Sequence, residues 1–177
     1  MMERRLFVAA SFGSLTFARF AFAAADAADV ISLGGDVTEI VYALGQGRRL
    51  IARDSTSPYP DAANDLPDVG YLRQLSAEGV LSFAPSLIVS AEGAGPPEVV
   101  DILRAASVDF TEVPCGYHAE AIAQMIRVVG AALQVTDLAE NLVEQTQTEI
   151  DLAVANASRA EGVRKRVLFV LSTQGGR

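Results

Sequence analysis

The sequence has little of what builds metal centres and disulfide frameworks. Its 177 residues include one cysteine, Cys115, one histidine, His118, and no tryptophan. A single cysteine excludes an intrachain disulfide, and one histidine cannot supply a multi-histidine zinc or manganese site. We therefore expect Cys115 to be a small buried residue that follows a strand. We expect His118 to be a surface residue near a helix N-terminus.

Positive charge is also scarce and scattered. The sequence has 14 Lys and Arg residues against 22 Asp and Glu residues, which gives a formal net charge of -8. Nucleic-acid recognition needs clustered basic residues, so nucleic acid is not an expected partner. Hydrophobic residues make up 50% of the chain. This composition is typical of a globular protein, and the length suits one well-buried domain rather than two complete ones.

The motifs of common α/β enzymes are missing. There is no P-loop, no Gly-x-Gly-x-x-Gly after the first predicted strand and no nucleophile elbow. We therefore do not expect an enzyme. A nucleotide-binding or hydrolytic α/β enzyme remains the alternative from another functional class, and turnover of a nucleotide or an ester would support it.

The N-terminal residues have the pattern of an export signal. Arg4 and Arg5 precede a mainly apolar run over residues 6–17, and residues 21–23 fit a small-x-small cleavage site. We expect residues 1–23 to be a signal peptide, with an apolar first helix of a cytosolic domain as the alternative. The arginine pair also resembles a twin-arginine signal, so the export route stays open.

Short strands alternate with helices through most of the remaining chain. This alternation predicts an α/β fold, with a Rossmann-like N-terminal lobe around a central parallel sheet over residues 24–134. Glycine and proline mark the ends of the segments, and Asp36 and Ser76 are the expected helix caps. The predicted strands are 30–33, 50–53, 86–90 and 109–114, and the predicted helices are 36–44, 76–83, 97–103 and 119–133.

The last third of the sequence predicts a long helix followed by a new strand. Residues 135–161 are the expected inter-lobe segment, whose helix of about 24 residues would be about 36 Å long at 1.5 Å per residue. Residues 166–171 predict a buried strand, the first of a second α/β lobe over 162–177. A strand that opens a new unit and stops predicts a truncated piece of a longer two-lobed protein. The apolar stripe of the helix comprises Leu138, Leu142, Val143, Ile150 and Val154.

The segment from Val69 to Gly79 contains the most informative polar pair. Tyr71 and Arg73 lie two residues apart, just before the predicted helix. A phenol beside a guanidinium can bind a ferric cofactor that carries carboxylates. If the backbone is extended, both side chains lie on the same side. The alternatives are an interface tyrosine with its hydroxyl in water and a solvated loop arginine.

Two further segments are weaker candidates. Gly34 and Gly35 separate a strand from a helix, so their amides could face a carboxylate or only permit a tight turn. Ser55, Thr56 and Tyr59 lie in the loop after the second predicted strand.

Four segments give the sequence a family resemblance. With them it resembles the haem-specific periplasmic substrate-binding proteins of bacterial ABC importers, in the helical-backbone class that includes vitamin B12 and ferric-siderophore binders. The four segments are Val30–Ile40, Asp54–Pro60, Gly70–Gly79 and Leu171–Gly176. Val30–Ile40 is shared by the whole class, and Gly70–Gly79 is the haem-specific segment.

The resemblance implies roles for three residues. Tyr71 would be the axial ligand of ferric haem iron, and Arg73 would assist it or bind a haem propionate. A free phenol ionises only near pH 10, about three units above neutrality, so the iron and a nearby cation would have to favour the phenolate. Glu78 would dock onto arginines of a membrane permease; its alternative is a favourable carboxylate in a first helical turn. His118 is a minor alternative haem ligand.

The resemblance also implies a function. The chain would be a non-enzymatic, monomeric, periplasmic protein that delivers ferric haem to an ABC permease and its ATPase for iron acquisition. A vitamin B12 or ferric-siderophore binder of the same fold is the alternative. Haem stoichiometry, affinity, the sixth iron ligand and the activity of a truncated form stay open.

Overall fold

The computed structural model of the protein describes residues 29–158 and 166–170. In these residues the chain forms a four-stranded sheet in which every neighbouring pair is parallel, in the order β2-β1-β3-β4. The predicted α/β fold with a central parallel sheet is confirmed. The strands are β1 (Val30–Leu33), β2 (Leu50–Arg53), β3 (Leu87–Ala91) and β4 (Asp109–Val113).

Helices cover both faces of the sheet. Helices α1, α4 and α5 pack on one face, and α2 and α3 pack on the other. Short 3₁₀ helices occupy Gly47–Arg49 and Asp61–Asp65. The helices are α1 (Gly35–Ala43), α2 (Ala77–Leu81), α3 (Pro97–Ala105), α4 (Ala119–Ala132) and α5 (Thr136–Ser158).

The two central strands explain the apolar core. Every residue of β1 and β3 is buried, because these strands lie between two others and carry helices on both faces. Successive side chains alternate between the two cores: Val30 contributes to the core under α1, α4 and α5, whereas Ile31 contributes to the core under α2 and α3. The edge strand β4 is largely accessible except at Val113.

The helix starts agree with the sequence pattern at two positions and differ at a third. Ser76 caps α2 as predicted, because its side chain accepts a hydrogen bond from the Gly79 amide. Pro97 occupies the first turn of α3. The predicted cap Asp36 is wrong, since α1 begins at Gly35 after Gly34, whose φ of 113° favours glycine.

The strand predicted over residues 166–171 is not found in the described residues 166–170. They have no regular secondary structure, and their apolar side chains are between 57% and 86% exposed. A strand needs a neighbouring strand to satisfy its backbone groups, and none of the described strands pairs with this segment. Leu171, the expected signal peptide and the end of the predicted inter-lobe helix lie outside the described residues, so the domain boundaries stay predictions.

The apolar stripe predicted for α5 is only partly buried. Val143 packs in the core and Leu142 packs against it, whereas Leu138 and Val154 are exposed. The helix contacts α4 where Gly130 meets Ala139. A Cβ atom at Gly130 would lie 2.3 Å from the Ala139 Cβ, so the two helix backbones approach at a distance that only glycine permits.

Replacing Gly130 with alanine is therefore expected to lower the free energy of unfolding by about 1–3 kcal/mol, because the added methyl group has no space. At a solvent-exposed helix position the same substitution raises the free energy of unfolding by about 1 kcal/mol. The sign of the change therefore shows whether α5 packs closely against Gly130. Urea denaturation measures it. Gly79→Ala in α2 is the matched control, since its Cβ would meet Ser76 at an ordinary 3.6 Å. A Gly130→Ala protein as stable as the wild type would contradict the close approach.

Candidate functional site

The carboxyl ends of the four strands meet at one edge of the sheet. Ligands of open parallel α/β sheets bind at this edge, in the crevice between the loops that leave the strands. A further loop, residues 70–74, joins the edge from the side of α2. The strand-end loops are Gly34 after β1, Asp54–Pro60 after β2, Glu92–Pro96 after β3 and Pro114–His118 after β4.

Tyr71 begins a β-turn rather than an extended segment. The Gln74 amide donates a hydrogen bond of 2.7 Å to the Tyr71 carbonyl, and Gly70 redirects the chain with a φ of 103°. The extended backbone considered for Gly70 to Arg73 is therefore not what the chain adopts. The pleat of a strand therefore does not place the Tyr71 and Arg73 side chains on the same side.

Backbone hydrogen bonds hold this turn between two strand-end loops. The Ser55 amide donates to the Gly70 carbonyl at 2.9 Å, which joins the turn to the loop after β2. On the other side, the Gly95 amide donates to Leu72 at 2.9 Å and the Leu75 amide donates to Gly95 at 2.8 Å. The backbone that carries Tyr71 is therefore fixed at the ligand edge of the sheet.

The side chains of Tyr71 and Arg73 are exposed and have no partner in the described part of the chain. Tyr71 is 45% exposed, and neither its hydroxyl nor the Arg73 guanidinium makes a hydrogen bond or ion pair with the described residues. Other arginines do pair with carboxylates. Those ion pairs are Arg49–Asp29, Arg53–Asp68, Arg104–Glu112 and Arg127–Glu140. The Arg73 guanidinium and the Tyr71 hydroxyl are therefore accessible to solvent.

A buried carboxylate organises the loops on the β1–β2 side of the edge. Asp54 is 0% exposed, and its carboxylate accepts hydrogen bonds from the Gly34 amide at 2.8 Å and the Ser57 hydroxyl at 2.6 Å. The amide of Thr56 donates at 2.9 Å, and its hydroxyl donates as well. The Gly34 amide therefore does face a carboxylate, but it is that of Asp54 in the same chain. The φ of 113° at Gly34 fits the tight turn that was the other role considered.

The same network reaches the sheet through α1. The Thr38 hydroxyl donates to Ser57 at 2.9 Å and lies 2.8 Å from the Ser32 hydroxyl, and all three residues are 0% exposed. Sequence reasoning missed this cluster. The available signal was an aspartate at a strand end followed two and three residues later by hydroxyl side chains, a pattern typical of local side-chain to backbone hydrogen bonds.

The loops after β3 and β4 are also joined. The Cys115 amide donates to the Glu92 carboxylate at 2.9 Å. Cys115 itself is exposed, so the expectation of a buried cysteine was wrong; the strand ends at Val113, before the residue reaches the core. Partial burial raises the pKa of its thiol, and the carboxylates of Asp36 and Glu92 raise it further. The thiol therefore stays protonated at neutral pH and is a poor nucleophile.

His118 caps α4, in agreement with the predicted place near a helix N-terminus. Its Nδ1 accepts a hydrogen bond of 3.1 Å from the Ala121 amide. A neutral imidazole whose Nδ1 accepts a hydrogen bond carries its proton on Nε2. Iron binding through Nε2 would require the other tautomer and the loss of the cap, so the geometry disfavours His118 as a haem ligand.

Three of the four tyrosines lie in the loops at the ligand edge and are exposed. Their exposed fractions are 62% for Tyr59, 45% for Tyr71 and 103% for Tyr117. The fourth, Tyr42, lies on α1 and is half-buried. Burial raises the pKa of the Tyr42 phenol, and the nearby Asp65 carboxylate adds to this increase. Exposed aromatic rings are therefore present in three of the loops at this edge.

An apolar cavity of about 390 Å³ lies apart from Tyr71, between α1, α4, α5 and the loop after β2. Its size is in the range of small-molecule pockets. It opens on one face of the sheet, whereas Leu72 and Leu75, which flank Arg73 and Gln74, pack in the core under α2 and α3 on the opposite face. The residues that line it are Glu39, Ile40, Tyr42, Ala43, Tyr59, Pro60, Ile122, Ile126, Leu142 and Thr146.

Two searches of the described residues returned nothing. No group of three or more His, Cys, Asp or Glu side chains in ranges 29–158 and 166–170 could hold a metal ion. No helix within those same ranges is long and apolar enough to cross a membrane.

Comparison with known proteins gives a consistent family. The sequence profile of periplasmic binding proteins matches residues 30–176 of this chain. The vitamin B12-binding protein of Yersinia pestis (strain Pestoides F) is 35% identical over 79 residues, which cover 45% of this chain and 28% of that protein.

Two solved structures are similar in fold and sequence. The periplasmic heme-binding protein RhuT from Roseiflexus sp. RS-1, in apo form, has a TM-score of 0.74 at 39% identity, over 77% of this chain and 52% of that chain. The periplasmic heme-binding protein BhuT in complex with two hemes has a TM-score of 0.70 at 38% identity, over 73% of this chain and 50% of that chain. The chain thus spans about half the length of these structures.

Proposed function

The chain belongs to the periplasmic binding protein family, and from this membership we propose that it binds ferric haem in the periplasm and delivers it to an ABC permease. The observation that carries the proposal is the pair formed by Tyr71 and Arg73. The Tyr71 phenol and the Arg73 guanidinium, neither of which pairs with a residue of the described ranges, are exposed on one fixed turn at the ligand edge. No bond-making chemistry is required of the protein.

The two side chains suit the two chemical ends of haem. Ferric iron takes a hard oxygen donor, and tyrosinate is an established haem ligand. When Tyr71 binds iron its hydroxyl proton leaves to solvent, which its exposure permits. The Arg73 guanidinium would stabilise the resulting phenolate or bind a propionate through two parallel hydrogen bonds.

The related proteins support haem over the alternatives. RhuT and BhuT, at 39% and 38% identity, are described as heme-binding proteins. The vitamin B12-binding relative keeps a corrinoid open as the second candidate ligand, and a ferric siderophore is the third. Neither alternative requires a tyrosinate ligand, so the spectrum of the complex separates them from haem.

Titration of the purified chain with ferric haem tests the proposal. We expect saturable binding and a ferric absorption spectrum of the tyrosinate type. Cyanocobalamin is the comparison ligand under the same conditions. Saturable binding of cyanocobalamin, with no haem complex, would replace haem by the corrinoid alternative.

Glu78 is the proposed contact with the permease. It lies in the first turn of α2 and is exposed, so its carboxylate can reach an arginine of a membrane protein. A carboxylate at this position also stabilises a helix by about 0.3–1 kcal/mol through the helix dipole. A substitution at Glu78 changes delivery if the residue docks onto the permease, and changes only helix stability if its role is the helix dipole.

Charge reversal at Glu78 is expected to block delivery and leave ligand binding unchanged. Loss of one partner of a docking ion pair weakens an interface by about tenfold or more. Growth on haem as the iron source, in cells that depend on this chain, measures delivery, while a haem titration measures binding. Glu98→Lys is the matched control, because Glu98 is an exposed acid in the first turn of α3. Equal growth with Glu78→Lys and Glu98→Lys would leave only the helix-dipole role.

A further inference from the structure

The loop after β4 presents an aromatic side chain that no described residue covers. Tyr117 is 103% exposed, although an aromatic ring of this kind usually buries about 150–250 Å² in a folded protein. The residue lies four positions after the end of β4, at the same edge of the sheet as Tyr71. An uncovered ring at a ligand edge is an available contact surface.

The backbone that carries this ring is fixed on both sides. Before it, the Cys115 amide is held by the Glu92 carboxylate at 2.9 Å. After it, the His118 imidazole caps α4. Between them, a Cβ atom at Gly116 would lie 2.3 Å from the Ala121 Cβ, so the loop packs tightly on the first turn of the helix. The ring of Tyr117 is thus exposed from a rigid position, which lowers the entropic cost of a contact.

One loop connects this position to Tyr71. The loop after β3 is hydrogen-bonded to Cys115 through Glu92 and to the turn of Tyr71 through Gly95. The loop after β3 therefore links the two segments that carry Tyr71 and Tyr117.

We propose that Tyr117 is a second ligand-contact residue, whose ring packs against the apolar surface of a porphyrin held at Tyr71. The inference rests on the proposed function and adds a residue that selects for a flat, apolar macrocycle. In this proposal the contact uses the ring and not the hydroxyl. Phenylalanine should therefore replace Tyr117, and alanine should not.

The test compares Tyr117→Ala with Tyr117→Phe in titrations with ferric haem. The alanine variant is expected to bind about tenfold more weakly, the size of a well-packed aromatic contact, while its tyrosinate absorption spectrum is unchanged. The phenylalanine variant is expected to bind within about twofold of the wild type, since a ring stacks without its hydroxyl. Ile102→Ala is the control, because Ile102 is an exposed apolar residue on α3, 53% accessible.

A second ligand separates packing from iron ligation. Protoporphyrin without iron takes no axial ligand, so its affinity should fall by the same factor in Tyr117→Ala. Wild-type affinity of Tyr117→Ala for both porphyrins would overturn this proposal and leave the haem function intact. Failure of the wild-type chain to bind ferric haem would instead overturn the proposed function, and the role of Tyr117 with it. Equal unfolding midpoints show that the variants are folded.

Discussion

Replacing Tyr71 with phenylalanine is expected to remove the tyrosinate absorption features of the haem complex and to lower ferric haem affinity by at least about 100-fold. Phenylalanine keeps the aromatic ring and loses only the oxygen that binds iron. The hydrogen bonds that hold the turn do not involve the Tyr71 hydroxyl, as the 2.7 Å bond from the Gln74 amide to the Tyr71 carbonyl shows, so the substitution leaves the loop in place. The loss therefore reports on ligation and not on folding.

Absorbance titration of wild type and Tyr71→Phe with ferric haem measures both quantities. Tyr42→Phe is the matched control, because it removes the same hydroxyl from a half-buried tyrosine on α1, away from the ligand edge. Unchanged spectra and affinity in Tyr71→Phe would remove the ligand role. Binding that survives the substitution would then favour a ligand whose metal needs no donor from the protein.

Replacing Asp54 with alanine is expected to lower the free energy of unfolding by at least about 3 kcal/mol. The carboxylate is the acceptor for the Gly34 amide at 2.8 Å, the Ser57 hydroxyl at 2.6 Å and the Thr56 amide at 2.9 Å. Alanine leaves these donors without an acceptor in a buried place, and each orphaned donor costs about 1–3 kcal/mol. The loss is a large part of the stability of a domain, which is typically about 5–15 kcal/mol.

Urea denaturation measures this loss as a shift of the unfolding midpoint. Asp61→Ala is the control, since Asp61 is an exposed aspartate in a 3₁₀ helix of the same loop region and surface substitutions usually change stability by less than about 0.5 kcal/mol. Asp54→Asn should recover part of the loss, because the amide oxygen of asparagine still accepts hydrogen bonds. The recovery is only partial, because its NH₂ group would face other donors. Equal stability of Asp54→Ala and Asp61→Ala would show that the network is not needed for the fold.

The candidate site was predicted in part. The position of Tyr71 and Arg73 before a helix followed from the residues, and both are exposed at the ligand edge in the structure. The turn that they share did not follow, because it depends on backbone hydrogen bonds to the loop of Gly95. No motif in the sequence points to Tyr117, and only the fold brings it to the same edge.

The sequence by itself determined the elements of the fold. The strands Val30–Leu33 and Leu50–Arg53 and the cap at Ser76 lie where the local pattern predicts. These features are set by runs of apolar residues and by glycine and proline at their ends, which act over a few neighbouring residues.

The tertiary structure decided what depends on distant residues. Asp54 is buried because Gly34, 20 positions away, donates to it, and Cys115 is exposed because the edge strand ends at Val113. The segment 166–170, whose apolar pattern predicts a strand, has none because no described strand lies beside it. Burial and pairing require a partner in space, and a local pattern of residues does not contain that partner.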